Sequence, residues 1–259
     1  MESSHADVTG AAIRAEDFGL KGPRGWAFRG VGVDAGPGSL IAVTGPSGSG
    51  RTCLLLALTG RMKPAEGRAE VAGHPLPRKM AAVRRISALA HVPGVSELDP
   101  AFTVAEHLRE RVMLRHRYGG SVRALLRSPA TRRAESRALI DQALAAAGLD
   151  LASLPKREAT AVRDLERLEA LRLTVALALI QQPRLLAVDD TDMKLADGER
   201  AAAWALLRSI ADAGITVLAV CSESPAEADT TVRTTGSGAG DGATDKEGAA
   251  DAFATTGSA

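Results

Sequence analysis

The feature that most constrains this chain is the octet Gly45-Pro46-Ser47-Gly48-Ser49-Gly50-Arg51-Thr52, set between two apolar runs. Leu40-Ile41-Ala42-Val43 precedes it and Cys53-Leu54-Leu55-Leu56-Ala57-Leu58 follows it. A strand, a glycine-rich turn and a helix in that order form a phosphate loop, because the glycines let successive backbone N–H groups curl inward around anionic oxygens. The helix adds its unpaired N-terminal donors and the positive end of its dipole. The pattern Gly-x-x-x-x-Gly-Lys-Ser/Thr is met at every position but one, where Arg51 replaces lysine. Arginine keeps the charge but carries it on a larger planar fork. The octet, with Cys53 behind it, is the expected nucleotide-phosphate site.

The rest of the chain supplies an α/β frame for such a loop. Short, partly alternating segments at Ile13–Phe18 and Val31–Val33 read as antiparallel strands, and a further short strand is expected over Gly67–Gly73. Arg85–Ala90, Leu185–Val188 and Ile215–Val220 read as buried strands. Helices are expected from Thr103, with threonine as its cap, over Leu139–Ala147, over Asp164–Gln181 and over Glu199–Ala213. Apolar strands alternating with helices imply a mainly parallel sheet covered on both faces. Arginines crowd the stretch from Arg109 to Arg137, which reads first as a solvated helical face and second as a functional patch. From Glu223 onward the composition is small and polar, so 223–259 is expected to be a disordered tail.

Composition narrows the function classes. A formal net charge of +1 gives no global electrostatic reason to expect nucleic acid as a partner. Cys53 and Cys221 sit in apolar stretches, as reduced thiols do, and the five histidines show no zinc-ligand spacing. The N-terminus has neither the basic start nor the apolar block of a signal peptide, which predicts an intracellular protein.

The order of elements from Ile13 to Ser222 resembles the ATP-binding cassette, the nucleotide-binding subunit of ABC transporters. Three segments carry the likeness: the phosphate loop, Thr103-Val104-Ala105-Glu106-His107-Leu108, and the block from Val175 through Pro183 to Asp189-Asp190. The resemblance implies a P-loop NTPase fold of class α/β, with a three-layer core around the mainly parallel sheet, an antiparallel β subdomain and an inserted helical subdomain. The cassette would span 11–222, with the helical subdomain at about 92–160. It implies Mg²⁺–ATP as the ligand, with Thr52, Asp189 and, at the glutamine-loop position, His91 on the metal side. Asp190 falls at the position that polarises the attacking water, Ser222 at the switch-histidine position, and Trp26 is the nearest aromatic able to stack on adenine. It further implies a separate membrane permease, a place on the cytoplasmic face of the membrane and, as a further partner, a second cassette with an intact signature. A hydrolysis-deficient regulatory cassette is the alternative. An unrelated phosphate-loop kinase is disfavoured by the match of the block from Val175 to Asp190 to the cassette.

The departures from the family pattern bear on chemistry. Asp190 stands where the family has glutamate, one methylene longer, so its carboxylate falls short by about an ångström, enough to disturb a near-attack geometry. The signature Leu-Ser-Gly-Gly-Gln corresponds to Leu165-Glu166-Arg167-Leu168-Glu169. Like charges about 5 Å apart repel by roughly 3 kcal/mol at an effective dielectric near 20, so these glutamates oppose a partner's γ-phosphate. Ser222 can hydrogen-bond but cannot be a cation.

Overall fold

The computed structural model describes residues 10–23, 25–119, 128–191 and 195–235. Two sheets carry the architecture. The first is antiparallel, in the order β2-β1-β4-β5, built from β1 (Ile13–Gly22), β2 (Gly25–Ala35), β4 (Glu66–Val71) and β5 (His74–Leu76). The second runs β6-β7-β8-β3-β9, from β3 (Leu40–Thr44), β6 (Ser87–Leu89), β7 (Leu185–Val188), β8 (Thr216–Val220) and β9 (Thr230–Arg233), every pair parallel. The chain is thus α/β, with its phosphate-loop strand β3 held between β8 and β9.

Strand alternation divides the core in two. Leu40, Ala42, Leu186, Val188, Val217 and Ala219 face one side of the parallel sheet, whereas Ile41, Val43, Leu185, Ala187, Leu218 and Val220 face the other. The second side packs on α1 (Arg51–Leu58) and the antiparallel sheet. The first is covered by α5 (Arg167–Leu179) and α6 (Asp197–Asp212). Strands buried on both faces explain their unbroken apolar sequences. Each fully buried leucine, isoleucine or valine contributes about 1.5–3 kcal/mol relative to exposure.

The segment expected to form a helical subdomain holds α3 (Val104–Gly119) and α4 (Pro129–Ala146). Thr103 caps α3 reciprocally with Glu106: the Glu106 N–H donates to Thr103 Oγ1 at 3.3 Å, and the Thr103 N–H donates to Glu106 Oε2 at 2.7 Å. Ser128 caps α4, accepting from the Thr131 N–H at 3.1 Å, with Pro129 in the first turn.

Three expectations are corrected. Arg85-Ile86 belong to a helix, α2 (Met80–Ile86), and only Ser87–Leu89 form the strand. Val83 is that helix's one fully buried residue, with Met80 partly buried against the same core, too little for an apolar period to register. The helix expected from Asp164 begins at Arg167, with Val162–Asp164 forming a short 3₁₀ turn before it. The boundary at 222 falls too early, because β9 lies within the sheet. The Asp229 N–H donates to Leu40 O at 2.9 Å, the Leu40 N–H returns to Asp229 Oδ2 at 2.7 Å, and Val232 and Thr234 are buried. Two inward residues out of a β-branched alternation suffice for an edge strand, although the surrounding composition is polar. The remainder of the expected tail, 236–259, lies outside the described residues. No helix among the described residues is long and apolar enough to cross a membrane.

Candidate functional site

The loop from Gly45 to Gly50 is wedged between two strands. A Cβ on Gly50, where φ is 83°, would stand 2.1 Å from the Ala27 carbonyl oxygen of β2. One on Gly45 would stand 2.5 Å from the Thr234 carbonyl oxygen, just past β9. Only glycine fits either position. Gly48, by contrast, has φ of 79° and nothing within 4 Å of where a Cβ would be, so the loop's outer side is open. The Ser49 N–H closes the turn on Pro46 O at 3.1 Å. Pro46 and Ser47 complete the open side, and both Ser47 and Gly48 are accessible or flank the opening. Because α1 begins at Arg51, its first N–H groups have no acceptor within the helix and are available to an anion.

Beneath the loop lies a buried hydroxyl pair that sequence reading missed. Ser49 Oγ and Thr234 Oγ1 are 2.6 Å apart, the Thr234 N–H donates to Thr44 O at 2.9 Å, and Thr234 Oγ1 donates to the same carbonyl at 3.3 Å. Ser49 therefore donates to Thr234. The two residues are 185 positions apart, so only the β-branched run at 230–235 hinted at this contact.

Thr52 and Asp189 meet at the loop's inner end. Thr52 Oγ1 donates to Asp189 Oδ2 at 2.5 Å, the Asp190 N–H donates to Asp189 Oδ1 at 2.9 Å, and the Asp189 N–H donates to the His91 carbonyl at 2.7 Å. Burial pushes the Asp189 carboxyl above the usual carboxylate range. The Thr52 bond opposes that shift, Asp190 adds to it, and the Asp190 N–H and Arg51 oppose it. Burial also pushes the neighbouring Cys53 thiol up, aided by the Asp189 charge, so Cys53 stays protonated. The Thr52 proton is spent on Asp189, leaving the hydroxyl lone pairs for a cation. One hydroxyl beside one carboxylate, next to a phosphate cradle, fits magnesium, which takes hard oxygen ligands and completes its shell with phosphate and water.

The other expected site residues divide among several places. Arg51 Nη1 donates to the Cys221 carbonyl at 2.8 Å, which anchors the guanidinium at the end of β8. Asp190 has φ of 49°, a left-handed backbone that aspartate tolerates, and it shares a cavity of about 420 Å³ with His91 and Arg167. Ser222 lines a different cavity, of about 590 Å³, with Trp204 and Arg200. Trp26, half-buried on β2, carries Arg29 Cζ 4.8 Å and Lys21 Nζ 5.7 Å from its ring centroid, and Arg29 is held by Glu66 at 2.8 Å. The indole is thus already engaged with cations. At the signature segment, Glu166 caps α5, and its N–H donates to Glu169 Oε2 at 2.9 Å. The acidic side chain serves its own helix start.

Comparison with known proteins bears on the family and the fold. A family model described as ABC transporter matches residues 28–192. The Nod factor export ATP-binding protein I of Cupriavidus metallidurans is 32% identical over 186 residues, covering 72% of this chain and 54% of that protein. The chain spans about half the length of the curated relatives it matches. Among solved structures, cbiO1 from Clostridium perfringens, described as part of the ABC transporter complex cbiONQ, superposes with a TM-score of 0.68 at 18% identity, covering 87% of each chain. The ATP-binding cassette MJ0796, bound to ADP and Pi in a dimeric post-hydrolysis state, gives a TM-score of 0.61 at 20% identity over 82% of this chain and 88% of that one. With the family model spanning more than half of its residues around the loop and the Asp189 strand, the chain belongs to the ABC transporter family of ATP-binding cassettes.

Proposed function

We propose that this protein is the ATP-binding subunit of an ABC-type transporter, which binds Mg²⁺–ATP at Gly45–Thr52 and hydrolyses it slowly to drive a separate membrane permease. The observation that carries the reading is the 2.5 Å bond from Thr52 to Asp189, which ties the glycine loop to the carboxylate strand. Thr52 and Asp189 would hold the magnesium, which would supply neutralisation of phosphate charge. The chain's own residues do the rest. The loop N–H groups and the start of α1 receive the phosphates, with Pro46, Ser47 and Gly48 on the open side. Arg51 exchanges the Cys221 carbonyl for a phosphate oxygen. Asp190 accepts the proton of the attacking water at the end of a side chain one methylene short. Ser222 orients the γ-phosphate as a neutral donor, so charge stabilisation falls on Arg51 and the metal. His91 lines the water's cavity, and Trp26 stacks on adenine only by releasing a cation from one face.

The partner reading rests on surface chemistry. A groove of about 590 Å³ between α3 and the parallel-sheet core is lined by Leu89, Phe102, Leu114 and Leu177, and Val95, Phe102 and Leu114 are exposed apolar side chains on its walls. Such a rim suits a permease segment. The similar cbiO1 is described as part of a transporter complex. Because Glu169 occupies the Glu166 N–H and both carboxylates sit at the start of α5, the chain pairs with a second cassette of intact signature rather than with itself. Steady-state phosphate release with and without magnesium tests the activity. Slow, magnesium-dependent release is expected, and ATP binding with no release in either condition would leave only a regulatory cassette.

A further inference from the structure

The basic stretch of the helical region is not absorbed by the nucleotide chemistry. Between 109 and 137 the chain has nine arginines against two glutamates, so the rest of a molecule with net charge +1 is acidic. The structure exposes five of these arginines, Arg109, Arg117, Arg132, Arg133 and Arg137, on two helices. On α3, Arg109, Met113, His116 and Arg117 recur at spacings of three and four and share one side of the helix. All four are exposed, and Met113 leaves 65% of its surface in solvent. His116 Nε2 lies 2.9 Å from Ser136 Oγ of α4, and this contact brings the two helices side by side. Ser136 is flanked by the exposed Arg132, Arg133 and Arg137. The opposite side of α3 lines the groove described above through Arg111 and Leu114, so the basic strip borders that groove without filling it.

We propose that the paired faces of α3 and α4 form a docking surface for an anionic lipid membrane. Arginine rows supply attraction to headgroup phosphates, and Met113, an exposed apolar side chain among them, enters the interface. A nucleic-acid surface would use the arginines but gives the central methionine nothing to do. The proposal depends neither on ATP binding nor on a permease, and it is tested without either.

The test is co-sedimentation of the full chain with vesicles of phosphatidylcholine alone and of phosphatidylcholine with about a third phosphatidylglycerol. Binding is expected to the anionic vesicles and not to the neutral ones, weakening at 0.5 M salt as surface charge is screened. Each arginine near an anionic surface contributes roughly fivefold in partitioning, so Arg132→Gln with Arg133→Gln and Arg137→Gln should lower it about a hundredfold. Met113→Gln should lower it severalfold with the charge unchanged. Circular dichroism and ATP affinity, both expected to be unaltered, report that the variants fold. Equal binding by the triple variant, equal binding to neutral vesicles, or no vesicle binding would overturn the proposal. Tight capture of duplex RNA in place of vesicles would overturn it in favour of nucleic acid.

Discussion

Replacing Thr234 by valine tests whether the C-terminal strand holds the phosphate loop. Thr234 is 0% exposed and Ser49 1%, with their hydroxyls 2.6 Å apart, so neither group has water to fall back on. Valine removes the acceptor for Ser49 and the donor to Thr44. A buried hydroxyl left unpaired costs about 1–3 kcal/mol. The new methyl also meets Ser49 Oγ closer than carbon and oxygen pack, and such overpacking costs about 1–3 kcal/mol more. Thr234→Val should therefore destabilise the protein by roughly 2–6 kcal/mol, a large part of a typical domain stability of about 5–15 kcal/mol. Ser49→Ala alone should cost about 1 kcal/mol, since Thr234 keeps its bond to Thr44. The double variant deletes both hydroxyls and makes room for the methyl, so it should be more stable than Thr234→Val by about 1 kcal/mol or more. Urea unfolding of the four proteins, without nucleotide and with m held constant, gives the cycle. Additive effects within about 0.5 kcal/mol would refute the buttress, as would a Thr234→Val protein as stable as wild type.

Three other outcomes follow from the same geometry. Asp190→Glu should raise ATP turnover severalfold with affinity unchanged, and cost about 1 kcal/mol of stability because glutamate is less at ease at φ of 49°; flat activity in a phosphate-release assay would move the block to Glu166–Glu169. The Arg208 bond, with the Leu40 N–H, holds the Asp229 carboxyl below its ordinary range. A depressed carboxylate stabilises the fold above its unfolded pKa and loses that contribution as pH falls through the folded value. The stability gap between wild type and Asp229→Asn in urea should be full at pH 7 and gone in acid below the usual carboxylate range; a gap independent of pH would contradict it. Light scattering after size exclusion of Asp190→Asn with saturating Mg²⁺–ATP should show a monomer, and a nucleotide-dependent dimer would refute the reading of the acidic α5 start.

The parts of this account that were legible in the sequence are those written locally. Leu40–Val43, Leu185–Val188 and Ile215–Val220 are apolar on both faces, so they read as central strands without knowing their neighbours. The glycine turn and the Thr103–Glu106 cap carry their geometry within a few residues. Edge elements were not legible for the converse reason. β9 turns only Val232 inward, with Thr234 buried just beyond it, and its threonines and arginine match a solvated tail in composition. α2 fully buries only Val83, and the strand expected there absorbed its last residues.

At the site, the residue types were readable and their partners were not. Thr52 could be named from the loop pattern and Asp189 from the family resemblance, but neither says that Arg51 reaches the Cys221 carbonyl or that Arg29 and Lys21 attend Trp26. Glu166 and Glu169 read as repulsive charges. The structure adds that Glu169 accepts from the Glu166 N–H, a local capping bond that relieves the pair by engaging the helix's own donor.

The central claim is that Gly45–Thr52, with Asp189, binds ATP through magnesium. Calorimetric titration of ATP into the protein with and without magnesium, repeated on Arg51→Ala and Thr52→Ala, tests it most directly. Tighter binding with magnesium is expected, with loss of that increment in Thr52→Ala and at least a severalfold weaker affinity in Arg51→Ala. Equal affinities for all three proteins, or binding indifferent to magnesium, would contradict it.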